Sequence, residues 1–135
     1  MNVASKELCQ ELYELSQWWT DEPNGYTWLN DWIGSDDKTW VLTCNHEFQP
    51  MPSVLYRRGE KAYPAYDLGY LIRHLPQSID TQHGLLMNLY SAGYVNAEAY
   101  GDVLCHQIGD TPEDAACKLA IELFKQGILT RGTAA

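Results

Sequence analysis

The sequence predicts an α+β domain in which helices pack on one face of an antiparallel sheet. Three observations indicate this class. A strongly specified helix follows Thr111, three closely spaced strand-like segments precede it, and an amphipathic helix lies near the N-terminus. Strands separated by only a few residues favour an antiparallel meander, because parallel strands need a long crossover connection. We therefore expect residues 1–135 to form a single compact domain.

The last helix carries every local signal that a helix can have. Thr111 can cap it, Pro112 suits the first helical position, Asp114 can complete a capping box, and Gly127 suits a left-handed stop. Apolar residues then recur at helical spacing and predict one buried stripe: Ala116, Leu119, Ala120, Leu123 and Phe124.

The other elements follow from shorter signals. Ser5 predicts the start of a first helix that runs to about Gln17, with leucines along one side. An aromatic segment, 28–33, and a second segment, 39–44, predict a hairpin across a turn-rich link. We expect residues 45–64 to be mostly loop, because Pro50, Pro52, Gly59 and Pro64 interrupt them. A short strand at 54–56 is an alternative for part of this segment.

The second half predicts a helix and the meander. Asp67 can cap a short helix that Pro76 ends. Strands are predicted at 85–90, 94–100 and 103–107, with turns at Ser91-Ala92-Gly93 and Gly101-Asp102. Residues 130–135 are predicted to fray.

Composition and charge limit the function classes. The 135 residues carry a formal net charge of −9, which argues against direct binding of nucleic acid, since such affinity depends on Lys and Arg. No apolar run is long enough for a membrane span, and no secretory signal is evident, so we expect a cytoplasmic protein. An acidic surface can steer a basic protein partner, although acidity often serves solubility alone.

Four residues contain the ligand types of a zinc site: Cys44, His46, Cys105 and His106. Their spacing is a weak signal, because adjacent residues of a strand, such as Cys105 and His106, point to opposite faces. His83, beside Gly84 in a predicted loop, is equally weak. We therefore expect free, packed thiols and no metal or other cofactor.

No local pattern predicts catalysis. A nucleophile elbow, a phosphate-binding glycine loop and a His-Glu-x-x-His helix are all absent from the sequence. The glutamates of the first helix are spaced as a solvated face. We expect a protein that is not an enzyme.

The five tryptophans fall within residues 18–40, more than one hairpin face can bury. Trp and Tyr are also the residues that dominate binding hot spots. We expect Trp32 and Trp40 in the core, and Trp18 or Trp19 partly exposed beside the loop 21–26. The predicted partner-binding residues are Trp18, Trp19, Asp21, Glu22, Tyr26 and Trp28.

Arg57 and Arg58 lie in the one basic cluster of the sequence. A solvated turn is one interpretation, and contact with an anion or phosphate of a ligand is the other.

Three segments resemble small, largely uncharacterised proteins encoded by phages and prophages. They are Ser5-Lys6-Glu7-Leu8-Cys9-Gln10-Glu11-Leu12-Tyr13-Glu14-Leu15-Ser16, Tyr66-Asp67-Leu68-Gly69-Tyr70-Leu71, and the helix from Asp110-Thr111-Pro112-Glu113-Asp114 to Phe124. The passage from Val103 through Thr111 into the last helix is also similar to the strand-to-helix junction of HicB-type antitoxins. This chain lacks the DNA-binding appendage of those antitoxins and is more aromatic.

The phage resemblance implies an accessory or anti-defence protein that binds and inhibits a basic host protein, as anti-CRISPR proteins inhibit nucleic-acid-handling partners. Three alternatives stay open. The chain could sequester a signalling nucleotide, act as a HicB-like antitoxin, or be a metal-dependent enzyme that uses the Cys/His pairs. Formation of a homo-oligomer is also left undecided by the sequence.

Overall fold

The computed structural model describes residues 2–19, 25–30, 40–44 and 62–131. Within them, the predicted α+β class is confirmed by three helices and six strands. The helices are α1 (Lys6–Ser16), α2 (Leu68–His74) and α3 (Pro112–Lys125). The strands are β1 (Tyr26–Asn30), β2 (Trp40–Cys44), β3 (Ala62–Ala65), β4 (His83–Met87), β5 (Ser91–Asn96) and β6 (Ala99–Ile108).

The described strands form two antiparallel sheets of three strands each, in the orders β2-β1-β3 and β4-β5-β6. The sequence pattern predicts one sheet, whereas the structure has two. The pattern indicates where strands lie along the chain, but it does not show which distant strands pair. Within the described strands, β1 pairs with β2 and β3, whereas β5 pairs with β4 and β6.

The first sheet confirms the predicted hairpin and adds a strand. Tyr26 of β1 pairs with Cys44 of β2, and on its other side with Ala65 of β3. The prediction of loop for residues 45–64 was wrong for β3. Pro64 hides this strand from sequence analysis. Proline is nevertheless tolerated on an edge strand, and β3 is an edge strand among the described strands of its sheet. All four β3 residues are buried.

The second sheet corrects the predicted strand limits. Residues 91–93, expected as a turn, open β5, and the connection from β4 lies at residues 88–90. The expected turn at Gly101-Asp102 lies inside β6, which spans ten residues. Residues 100–102 have no partner on β5, because Val95 pairs with Val103 and Asn96 pairs with Ala99. Glycine was given too much weight as a turn signal at both places.

The helices begin and end where the sequence predicts. Ser5 and Asp67 cap α1 and α2, accepting hydrogen bonds from the amides of Leu8 and Tyr70. The amide of Asp114 donates to Thr111 Oγ1 (3.1 Å), which confirms the cap of α3. Gly127 adopts the predicted left-handed conformation, with φ 76°.

The side chain of Asp114, predicted to complete the capping box of α3, binds the N-terminus of α1. Its Oδ1 accepts a hydrogen bond from the amide of Ser5 at 2.9 Å. The carboxylate therefore lies at the N-termini of both α1 and α3, where the positive ends of two helix dipoles stabilise it. One side chain thus joins the first and last helices.

The core lies between these helices and the second sheet. α3 packs against β5 and β6 on one side and against α1 on the other, while α1 also contacts β3. The predicted stripe of α3 is buried, with Phe124 partly covered. Cys9 and Cys117 are buried free thiols, and burial raises the pKa of Cys9 to about 12.

The predicted fraying from residue 130 is corrected at Arg131. Its guanidinium donates hydrogen bonds to the carbonyl oxygens of Leu15 (3.1 Å from Nε) and Glu14. These carbonyls belong to the last turn of α1, which has no basic residue of its own. Arg131 therefore supplies a positive charge to the negative end of that helix.

Candidate interaction surface

The outer face of the second sheet exposes aliphatic side chains. Side chains alternate along its strands, so Leu85, Met87, Ala92 and Tyr94 face the core. Leu86, Val95 and Val103 lie on the opposite face, where the pairs Leu86 with Gly93 and Val95 with Val103 bring them together. Leu86 is 45% exposed and Val103 is 40% exposed. We call this set, with Gly93 and His106, the outer-face patch.

Gly93 forms the floor of the patch because a bulge in β6 approaches it closely. Ala92 pairs with Gln107 and Tyr94 with Leu104, so Gly93 alone opposes Cys105 and His106. Cys105 takes the left-handed conformation that such a bulge needs, with φ 58°. A Cβ atom on Gly93 would lie 3.2 Å from His106 Cα and 3.3 Å from Val103 Cγ1. Glycine therefore permits the contact and leaves a depression above itself.

The depression has a volume of about 160 Å³ and opens to solvent. Its lining consists of Leu86, Asn88, Ser91, Gly93, Val95, Val103 and His106. Pockets for drug-sized ligands measure about 300–1,000 Å³, so this depression suits one inserted side chain better than a nucleotide. Its apolar floor and polar rim are typical of a protein-contact surface.

More apolar surface lies at one end of the same sheet. Ile108 ends β6 opposite Ser91, and the amide of Gly109 donates to the carbonyl of Tyr90 at 2.9 Å. The side chains of Leu89, Tyr90 and Ile108 are all largely exposed. Large apolar side chains that stay in solvent as a group mark an interaction site more strongly than isolated ones.

The charges around β6 are mainly acidic. Glu98 precedes the strand, Asp102 lies within it, and Asp110 follows it; all three residues are exposed. Lys118 is a cation close to the end of β6, and its Nζ donates to the carbonyl of Ile108 at 2.9 Å. Together with the net charge of −9, this arrangement favours a basic partner.

The structure removes one predicted anchor. Either Trp18 or Trp19 was expected to be partly exposed. Trp18 is buried, with only 7% of its surface exposed. Its indole contacts the rings of Tyr70, His74 and Phe124, with centroids 4.9 to 6.4 Å away. The chain leaves α1 through the left-handed residue Gln17, which turns Trp18 back onto α2 and α3. Trp18 is therefore a core residue.

The other described aromatic residues of the predicted site are half-buried. The ring of Trp19 packs edge-on against Tyr13 at 5.5 Å, which is consistent with the predicted partial exposure. Trp28 packs against the core, and its Nε1 donates to the carbonyl of Ala4 at 3.4 Å. Tyr26 also keeps part of its surface. Trp40, expected in the core, is only half-buried and contacts Tyr63.

Several predicted site residues lie outside the described residues. They are Asp21, Glu22, His46, Arg57 and Arg58. The expected core residue Trp32 and the possible strand at 54–56 also lie outside the described residues. The roles predicted for these residues therefore stay predictions.

Of the four Cys/His candidates, the structure describes the side chains of Cys105 and His106. Cys105 and His106 diverge as predicted: Cys105 Sγ lies 3.6 Å from Gln126 Oε1, and His106 lines the outer-face depression. Burial raises the pKa of Cys105, which disfavours the thiolate that would bind a metal or act as nucleophile. No group of three or more potential metal ligands occurs among the described residues.

His83 occupies a more organised site than the sequence indicates. It is buried at the start of β4, with Nδ1 2.8 Å from Asp80 Oδ2 and Nε2 3.0 Å from Asp102 Oδ2. The second contact is an ion pair without the alignment of a hydrogen bond. The hydrogen bond to Asp80 and then the contact with Asp102 raise the pKa of His83 against the opposing effect of burial. The His83 ring joins β4 to β6.

This cluster predicts a pH dependence of stability. Because the folded-state pKa of His83 is raised, its contribution is fully present below pH 6.5 and is lost as pH rises through the folded pKa. The free energy of unfolding of the native chain should therefore fall relative to a His83→Gln variant between pH 6 and pH 8. Chemical denaturation at each pH measures this difference. A constant difference, or a His83 ring pKa at or below 6.5 by NMR, would contradict the assignment.

Sequence analysis missed the outer-face patch because its apolar residues resemble core residues. The neighbours Leu85-Leu86 and Val103-Leu104 place apolar groups on both faces of a strand, whereas a half-solvated sheet normally alternates apolar and polar residues. That departure from alternation is the signal that could have indicated the patch.

Comparison with known proteins gives no relative from which a site could be transferred: no protein-family model, curated protein or solved structure matches the chain. Among the helices of the described residues, none combines the length and apolarity needed to cross a bilayer.

Proposed function

We propose that this chain is a binding protein without catalytic activity, which captures a basic protein partner through the outer-face patch. The observation that carries the proposal is the exposure of Leu86 and Val103 on either side of the Gly93 depression. Burying such aliphatic side chains on association is favourable by about 25 cal/mol per Å² of apolar surface. The acidic residues around β6 would orient a basic partner and speed the encounter.

The phage resemblance supports an accessory or anti-defence role for this binding, in which the chain inhibits a host protein in the host cytoplasm. A nucleic-acid-handling protein is the partner class with the required positive surface. Such an inhibitor would work by covering that surface. Sequestration of a signalling nucleotide is less favoured at the outer-face patch, because this depression is smaller than a nucleotide pocket.

A pair of matched lysine variants tests the proposal. Val103 is 40% exposed in the patch, and Ile128 is 41% exposed after α3. Both substitutions to lysine change the net charge equally, but only Val103→Lys places a cation where the basic partner would bind. We expect Val103→Lys to weaken binding of the captured host protein at least tenfold, the effect of one hot-spot side chain. Ile128→Lys should change it less than threefold.

The measurement uses immobilised chain and host lysate, with the captured protein identified by mass spectrometry and then titrated in purified form. Thermal unfolding of both variants confirms that the fold is intact. Binding should also weaken as salt is raised, because screening reduces the attraction between the acidic residues and a basic partner. Equal binding by the two variants would contradict the proposed surface, and capture of no protein would contradict the proposed function.

A further inference from the structure

The start of α3 and the β4–β5 connection border a second cleft. It opens to solvent and has a volume of about 260 Å³. Leu89 and Tyr90 line it from the connection, and Asp110, Thr111 and Glu113 line it from the passage into the helix. We call it the end cleft. Pockets for drug-sized ligands measure about 300–1,000 Å³, so the end cleft suits a single long side chain.

Glu113 brings a buried carboxylate to the end cleft. The residue is only 7% exposed, and glutamate is rarely buried to this extent unless it is paired. No hydrogen bond or ion pair joins its side chain to any residue that the structure describes. The amides of Asp114 and Ala115, which follow it in the first helical turn, both donate to Thr111 instead. Because burial of a carboxylate without a partner is costly, a cation in the end cleft would stabilise Glu113.

Other kinds of ligand match the end cleft less well. The positive end of the helix dipole favours negative charge at this place, and an anion is the usual ligand of a helix N-terminus. Here, however, an anion would meet two carboxylates of like charge, those of Asp110 and Glu113. A metal ion needs more ligands, and no group of three or more potential ligands occurs within the described ranges. The lining therefore favours a cationic side chain of another protein.

Leu89 and Tyr90 supply the surface that an arginine side chain needs. Leu89 is 71% exposed and Tyr90 is 60% exposed. A guanidinium stacks on an aromatic ring and pairs with a carboxylate through two parallel hydrogen bonds, while its apolar stem packs against aliphatic groups. It is also more weakly hydrated than the ammonium of lysine, which lowers the cost of entering a partly buried site. Arginine therefore matches the end cleft better than lysine does.

We propose that the end cleft binds an arginine side chain of the basic partner, with Glu113 as its counter-ion. This inference rests on the proposed function and adds a second contact to it. Asn88 and Ser91 line the outer-face depression. The two residues between them, Leu89 and Tyr90, line the end cleft, so both sites share the β4–β5 connection. A partner that covers the outer-face patch can therefore also reach the end cleft.

Three capped pentapeptides test the end cleft in the isolated chain. Each has four glycines around a central residue, which is arginine, citrulline or lysine. Citrulline keeps the shape of arginine but carries no charge. We expect the arginine peptide to bind at least tenfold more tightly than the citrulline peptide and at least threefold more tightly than the lysine peptide. In NMR titrations, the backbone amide signals of Leu89, Tyr90 and Glu113 should shift as the arginine peptide binds.

Glu113→Gln and Glu14→Gln are matched variants, because each removes one negative charge. Glu14 is exposed in the last turns of α1. We expect Glu113→Gln to weaken binding of the arginine peptide and of the captured host protein at least tenfold, and Glu14→Gln to change both less than threefold. The melting temperature of Glu113→Gln should lie within about 4 °C of the native value, because only a helix-dipole contribution is lost. A larger fall would show that Glu113 serves the fold, and would overturn the site.

The outcomes separate the two proposals. Equal binding of the arginine and citrulline peptides, tighter binding of the lysine peptide, or equal effects of the two glutamine variants would overturn the arginine site. If Val103→Lys weakens capture of the host protein but Glu113→Gln does not, the proposed function stands and the contact at the end cleft is wrong. If no host protein is captured, the proposed function is wrong, whereas selective binding of the arginine peptide would still identify the cleft as an arginine site.

Discussion

Replacing Gly109 by alanine is expected to lower the free energy of unfolding by about 2–3 kcal/mol, the cost of forcing extra volume into a packed site. Gly109 is buried where the chain passes from β6 into α3. A Cβ atom there would lie 2.5 Å from the backbone nitrogen of Ala115 and 2.9 Å from the carbonyl carbon of Asp114. Because these neighbours are backbone atoms of the first helical turn, the helix itself must move. Denaturation in urea measures the change.

Gly101 provides the matched control for this substitution. It is an exposed glycine of β6, and a Cβ atom built on it has no neighbour within 4 Å. Gly101→Ala should therefore leave stability unchanged or raise it slightly, because alanine restricts the unfolded chain. Equal effects of the two substitutions would contradict the close packing of β6 against the start of α3, and with it the rigid support of the outer-face patch.

Replacing Tyr66 by alanine is expected to destabilise the chain by about 3–5 kcal/mol, the range for removing a large buried aromatic side chain. Tyr66 is fully buried, and its ring stacks on Tyr70 with centroids 5.4 Å apart. Its hydroxyl donates to the carbonyl of Trp18 at 2.8 Å, while its own carbonyl accepts from the amide of Ala4. The residue joins β3 to the segments before and after α1.

Tyr66→Phe separates the hydrogen bond from the packing. Burial raises the pKa of the Tyr66 hydroxyl well above its usual value, so it remains a donor throughout the accessible pH range. Its removal leaves the Trp18 carbonyl unpaired and should cost about 1 kcal/mol, with the ring retained. Thermal and urea unfolding of both variants measure the two contributions. A loss below 1 kcal/mol for Tyr66→Ala would show that Tyr66 does not hold the core together.

The helices were predictable because their signals are local. Ser5, Asp67 and Thr111 each accept a hydrogen bond from an amide three residues ahead, so cap and helix are encoded within one turn. The distant hydrogen bond from Ser5 to Asp114 was not predictable, since the two residues lie 109 positions apart. The role of Arg131 at the end of α1 escaped prediction for the same reason.

The strands were less predictable because glycine has two roles. Gly93 and Gly101 look like turn residues, but Gly93 is needed where β6 approaches β5 through the bulge. Gly101 lies in the irregular stretch of β6 between Ala99 and Val103. The bulge also decides which side chains reach the outer face. Strand limits, and therefore the patch, depend on pairing between segments that no single segment encodes.

The candidate surface on the second sheet differs from the one that the aromatic residues predict. Aromatic residues predicted a binding surface near the N-terminus, yet Trp18 is a core residue and Trp28 packs against the core. Tryptophan satisfies the requirements of a hot spot and of a core equally well, so its position along the chain cannot separate the two. Exposure at Leu86 and Val103 follows from the arrangement of α3 on one face of the sheet, because no described helix packs on the other face.

The most direct test of the proposed contact surface is a methyl NMR titration of the chain with its captured partner. The account predicts that the methyl signals of Leu86, Val95 and Val103 shift on binding, while those of Val41 and Ile128 stay in place. Shifts confined to Val41 and Ile128, with the three patch residues unchanged, would contradict it.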